Sequence, residues 1–119
     1  MSSDEYSLSI RINLPNGGRF GPGKAALLEA ISEQGSITKA AEALSMSYPR
    51  ALKLIEQMNT DFTAPLIKST HGGKYRGGSD LTEAGKTVLA LYHSITDTAF
   101  ASNVTALKKL WDMEPDDMV

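Results

Sequence analysis

Apolar and polar residues change their period several times along this 119-residue chain. Tyr6 to Leu14 alternates, with Leu8, Ile10, Ile12 and Leu14 on one side, and a period of two predicts a half-buried strand. Pro15-Asn16-Gly17-Gly18 is turn chemistry, and Arg19 and Phe20 return as a second short strand. From Gly21-Pro22-Gly23 the period becomes helical. Leu27, Leu28 and Ile31 give a core-facing stripe to a helix that reaches about Gln34, and Gly35 stops it as a C-terminal glycine.

Gly35 to Asn59 then holds two helices separated by a tight break. Thr38 is expected to cap the first with its hydroxyl, after which Ala40, Ala41 and Leu44 share a face whose small alanines permit a close crossing. Ser45 and Met46 interrupt the period. Ser47 supplies a new N-cap, and Pro49 sits in the first turn, where its missing N–H would have had no partner. Ala51, Leu52, Ile55 and Met58 form the apolar stripe of this second helix, leaving Tyr48, Pro49, Arg50, Lys53 and Gln57 on the other side. Arginine can bond guanine bidentately and glutamine can bond adenine, while lysine and a helix N-terminus meet phosphates. The stretch therefore reads as a helix-turn-helix over about 38–59 whose second helix reads double-stranded DNA. An ordinary helical hairpin with a solvated basic face has the same local pattern, so the rest of the chain must separate the two.

After Thr63-Ala64-Pro65 breaks the chain, Leu66 to Thr70 reads as a strand, and a brief return strand follows near Asp80 and Leu81. Between them lies His71-Gly-Gly-Lys-Tyr-Arg-Gly-Gly-Ser79, with Lys74, Tyr75 and Arg76 between paired glycines. Two strands joined by a loop with a basic and aromatic tip make a wing over about 66–81. Thr82 caps a long last helix over about 83–109, in which Val88, Leu91, Tyr92, Ile95, Ala99, Ala106, Leu107 and Leu110 mark an apolar stripe that weakens near Ser102 and Asn103. So long a stripe exceeds what a small domain can bury, and its outer half is expected to pack on a second copy of the chain. The expected fold is mainly α with small β elements: a single winged helix-turn-helix domain with an N-terminal strand and a long C-terminal dimerisation helix.

Charge supports the DNA reading only after it is divided by region. Twelve cations against fourteen carboxylates leave a net charge of −2, which taken alone disfavours a polyanionic partner. Residues 36–79, however, carry six cations against three carboxylates, whereas residues 80–119 carry three against seven and the first 35 three against four. The basic segment coincides with the reader and the wing. The absence of cysteine removes disulfides, zinc–thiolate sites and thiol nucleophiles, and with no signal-like N-terminus or membrane-length apolar run it points to a cytoplasmic protein.

Several of these segments resemble the N-terminal DNA-binding domain of ModE-type molybdate-responsive regulators, whose winged helix-turn-helix is related to that of LysR-type regulators. The resemblance covers about Leu8 to Tyr92. It rests on Gly35-Ser-Ile-Thr38, Met46-Ser-Tyr48, Glu56-Gln-Met-Asn59, Pro65-Leu66, the glycine-flanked loop from Gly72 to Gly78, and Leu81-Thr-Glu-Ala-Gly85. It implies a homodimer on a palindromic operator, with reader helices about 34 Å apart and wings on the adjacent backbone. Three positions depart from the family pattern: Ser45 replaces a frequent glycine in the bend, Pro49 a basic residue, and Leu52 a large aromatic. Full-length ModE-type regulators also carry oxyanion-binding domains beyond the segment present here. A stand-alone member with no oxyanion-binding domain is the expectation, and molybdate sensing does not carry over with the resemblance.

Other chemistries fit less well. Gly18 to Lys24 matches G-x-x-x-x-G-K, but Ala25 offers no hydroxyl to magnesium and Pro22 removes an N–H from a phosphate cradle. Lys24 is expected instead to be a solvated or phosphate-contacting cation. His71 and His93 lack partners at metal-site spacing, and Ser79 lacks a nucleophile turn, so no enzyme, cofactor or metal is expected. A winged helix that docks proteins remains the alternative function, since fold alone does not fix function. The DNA-contacting set is expected to be Tyr48, Arg50, Lys53 and Gln57 in the groove, Lys39 and Ser47 on phosphate, and Lys74, Tyr75 and Arg76 on the wing.

Overall fold

A computed structural model of the chain describes residues 7–70 and 77–115. The elements run β1 (Ile12–Asn13), β2 (Arg19–Phe20), α1 (Pro22–Gln34), α2 (Ile37–Ala43), α3 (Tyr48–Asp61), β3 (Ile67–Ser69), β4 (Ser79–Leu81) and α4 (Glu83–Asp112). Both strand pairs are antiparallel hairpins. Ile12 faces Phe20 and Asn13 faces Arg19 in the first, and Ile67, Lys68 and Ser69 face Leu81, Asp80 and Ser79 in the second. The mainly α winged fold expected from the sequence is thus the one observed.

The core lies where α1, α2 and α3 meet the base of the wing. Leu27, Leu28 and Ile31 of α1, Ile37, Ala40 and Ala41 of α2, Ala51, Ile55 and Met58 of α3, and Leu66, Ile67 and Leu81 are all buried. Alanines on α2 let it approach its neighbours closely, as their size requires. Gly35 takes the left-handed conformation, with φ 73, and donates its N–H to the Ile31 carbonyl, 2.9 Å away, closing α1.

The predicted strand from Tyr6 to Leu14 keeps its alternation but hardly any of its ladder. Leu8, Ile10, Ile12 and Leu14 are partly covered and Ser7, Ser9, Arg11 and Asn13 are exposed, yet only Ile12 and Asn13 pair with β2, because the return strand is two residues long. The extended segment is held by a side chain instead. The Tyr92 hydroxyl donates to the Ile10 carbonyl at 2.6 Å, and Phe20 meets the Tyr92 and Phe62 rings edge-on at centroid distances of 5.2 and 6.2 Å.

Two further expectations need correction. Helix α2 starts at Ile37, two residues earlier than a Thr38 cap implies, and its cap is Ser36, whose Oγ accepts the Lys39 N–H; Thr38 lies inside the helix on an exposed face. Ser36 has the extended backbone that a cap needs, so the hydroxyl two residues upstream wins. Helix α4 reaches Asp112, beyond the expected end near Lys109, and passes through Ser102 and Asn103, where only the apolar stripe was expected to weaken. The Asn103 side chain donates to the Ala99 carbonyl of the preceding turn and follows the helix rather than competing with it. Only Gly85 and Tyr92 of α4 are buried, and the molecule measures 56 × 31 × 22 Å because the helix projects from the body.

Candidate nucleic-acid interface

Helix α3 begins where the sequence places it. The Ser47 Oγ accepts the Arg50 N–H at 3.3 Å, and Pro49 occupies the first turn. The bend before it is a Schellman closure of α2: Ser45 N–H donates to the Glu42 carbonyl and Met46 N–H to the Ala41 carbonyl, at 3.1 and 2.8 Å. That closure puts Ser45 at φ 54, the one positive φ among the described non-glycine residues, and this is why glycine suits the position in related sequences. The chain accepts a modest backbone cost to turn sharply from α2 into the reader.

Ala51, Ile55 and Met58 turn inward with Leu52 partly covered, so Tyr48, Pro49, Arg50, Lys53, Glu56 and Gln57 are left exposed. Tyr48 keeps 41% of its surface exposed. Neither Arg50 nor Lys53 makes an ion pair or a side-chain hydrogen bond within the described residues, so both cations are available to an external anion. Ser47 uses its oxygen as a cap acceptor, and its hydroxyl proton has no acceptor among the described residues. Lys39 is exposed on α2, the helix before the reader. Lys74, Tyr75 and Arg76 lie outside the described residues, as does His71.

The base of the wing is built onto the reader by Asn59. Its Oδ1 accepts the Leu66 and Ile67 N–H groups at 2.8 and 3.1 Å, and its amide donates to the Ile67 carbonyl. The same Leu66 carbonyl accepts the Thr82 N–H at 2.9 Å, while the Thr82 hydroxyl donates to the Pro65 carbonyl at 2.6 Å and accepts the Gly85 N–H at 3.0 Å as the cap of α4. A Cβ on Gly85 would collide with the Leu66 carbonyl oxygen. Asn59, Thr82 and Gly85 therefore hold wing, reader and last helix at fixed relative positions, which gives Asn59 and Gly85 a role that the sequence motifs left unstated. Ser79 N–H also donates to the Gly35 carbonyl, pinning the return strand to the corner between α1 and α2.

On its other side the reader meets the β1–β2 turn, which sequence reasoning did not connect with it. Asn16 donates its amide to the Asp61 carbonyl at 2.9 Å, a Cβ on Gly18 would overlap the Asp61 carboxylate, and Asn16, Gly18, Arg19, Gln57 and Asp61 line one open polar cleft. The expectation that Lys24 is solvated is overturned. Its Nζ donates to the Arg19 carbonyl at 2.6 Å and stands 3.9 Å from the Asp61 carboxylate, largely covered by the hairpin and the end of α3. No local signal marks the contact of Asn16 with Asp61, residues 45 apart in sequence. His93 is likewise satisfied, pairing with Glu29 of α1. Among the described residues no cluster of side chains could hold a metal ion, and no helix is long and apolar enough to cross a membrane.

Residues 24–86, more than half of the chain, match the bacterial regulatory helix-turn-helix protein, lysR family. The chain belongs to this family. Among curated relatives, the molybdenum-pterin-binding protein MopB of Rhodobacter capsulatus is 35% identical over 99 residues, covering 83% of this chain and 36% of MopB. The transcriptional regulator ModE of Yersinia pestis is 38% identical over 71 residues, covering 60% of this chain and 27% of ModE. The chain spans about a third of the length of the curated relatives it matches. Among solved structures, the DNA-binding domain of CbnR in complex with DNA superposes with a TM-score of 0.56 at 24% identity, over 71% of this chain and 91% of that one. The LysR-type fold and the resemblance to ModE-type regulators are thereby borne out. Membership of a family of regulators also favours the reading as a regulator over an enzyme and over a protein-docking winged helix.

Proposed function

We propose that this LysR-type domain is a cytoplasmic transcriptional regulator that binds a palindromic operator as a dimer. Helix α3 enters the major groove, with Tyr48, Arg50, Lys53 and Gln57 toward the bases, Lys39 and Ser47 toward phosphates, and Lys74, Tyr75 and Arg76 of the wing on the adjacent backbone. The observation that carries the reading is the exposed face of α3, where Arg50 and Lys53 stand without an ion pair among the described residues on a helix fixed to the wing by Asn59. Its curated relatives include proteins named as transcriptional regulators, and a structure similar to this chain was solved in complex with DNA, which supports the same assignment.

Selection from a random duplex library followed by fluorescence anisotropy tests it. Arg50→Ala is expected to cost about 1–3 kcal/mol on the selected sequence and to relax its preference over other duplexes. Salt-independent binding that survives alanine at both Arg50 and Lys53 would refute the assignment.

A further inference from the structure

The hairpin turn between β1 and β2 stands beside the last turn of the reader, and at its end Arg19 has no ion pair among the described residues. Asn59 and Asp61 project about 200° apart around α3, from the 3.6-residue turn of an α-helix. Asn59 holds the wing strand and Asp61 meets Lys24 and Gly18, so wing and hairpin flank the reader on opposite sides. Fourteen residues make α3 roughly 21 Å long, whereas the major groove is about 12 Å wide. A helix that reads bases from Arg50 and Lys53 therefore carries its final turn past the edge of the groove, over the sugar–phosphate wall. The hairpin is the element attached there.

Charge in the cleft follows from two contacts. Lys24 offsets the Asp61 carboxylate, while the exposed Arg19 side chain has no ion pair or hydrogen bond within the described residues. Its neighbour across the ladder is Asn13, also exposed, and Arg11 lies on the same outer face beside Gly21. Division of charge by sequence segment hid this feature, because it grouped these arginines with the carboxylates of Glu29 and Glu33, which belong to α1.

We propose that the β1–β2 hairpin is a second backbone-binding element, opposite the wing, with Arg19 contacting a phosphate at the outer edge of the site. The proposal rests on the DNA-reading function given above. Asn16 and Lys24 act as positioning residues, tying the turn to the end of α3 so that Arg19 arrives with the reader. A phosphate contact fixes register and affinity but reads no base.

The test uses the whole chain, the duplex selected by the wild type, and an unrelated duplex of equal length. Arg19→Ala should weaken binding to both by the same factor, about three- to tenfold, and lower the slope of log K against log salt by about 0.9, the value for one lost phosphate contact. Arg19→Lys should restore most of the loss. Asn13→Lys, which adds a cation across the ladder without removing a contact, should tighten both duplexes and steepen the slope. Wild-type affinity and slope in Arg19→Ala, together with no gain in Asn13→Lys, overturn the hairpin contact. Loss confined to the selected duplex also overturns it, since that pattern belongs to a base reader. If Arg50→Ala still loses affinity in the same series, the reader stands and the hairpin alone has failed; if the wild type binds neither duplex, both fail together.

Discussion

Tyr92 does two things at once: its ring fills the space against Phe20, and its hydroxyl satisfies the Ile10 carbonyl of a segment that has almost no ladder of its own. Burial raises its pKa above the usual 10. Because the folded value lies above the unfolded one, the contribution is complete below about pH 10 and is lost as pH rises through the folded value. Tyr92→Phe is expected to lower stability by about 1 kcal/mol at neutral pH and to remove the corresponding increment of alkaline destabilisation, as measured by urea unfolding at pH 7 and above pH 10. At this scale the sequence was uneven as a guide. Ser47 and Thr82 were legible as caps because each precedes a clear helical period, whereas Thr38 was misplaced because Ser36 and Thr38 are both acceptable cap residues. Lys24 was misread for a deeper reason, since its partner Asp61 comes from the far end of another helix.

Among the elements, the connection from α2 to α3 shows how a local compromise sets the site. The Schellman closure demands a left-handed residue, and Ser45 supplies it at a cost that glycine would avoid. Ser45→Gly is expected to raise the thermal midpoint, with a gain of about 0.5–1 kcal/mol after allowing for the greater freedom of glycine in the unfolded chain. An unchanged or lower midpoint in calorimetry would show that the serine is not strained. Helices α1, α3 and α4 were legible because their apolar residues repeat over several turns. The first strand was legible as an alternation but not as a ladder, because pairing depends on the length of the partner strand. The role of Asn59 could not be read at all, since an amide that accepts two backbone N–H groups from the next strand looks in sequence like any polar helix residue.

For the molecule as a whole, the projecting α4 decides what state it should adopt in solution. Leu91, Ile95 and Leu110 are 59%, 46% and 65% exposed, and Leu91 and Ile95 border an apolar groove with Ile12, Leu14, Phe20 and Phe62. Leaving this face in water forfeits about 25 cal/mol for each Å² that a second copy would cover. Leu91→Glu combined with Ile95→Glu is expected to shift the chain from dimer to monomer in light scattering at micromolar concentration while helical circular dichroism is retained. A wild-type chain already monomeric at that concentration would count against the dimer. The stripe itself was legible, because its spacing is local; the groove was not, because Ile12, Phe20 and Phe62 are joined to it only by the fold.

The tether between Tyr92 and Ile10 also has a consequence in time. It joins residues 82 apart, and the Asn16 contact to the end of α3 spans 45, whereas the helix-turn-helix is assembled from neighbours. Loop-closure entropy makes distant contacts slower to form than local ones. On a chain emerging from the ribosome, the reader helix and the β1–β2 turn against its end can be complete while the extended segment at Ile10 still waits for Tyr92 of α4, and that segment docks last.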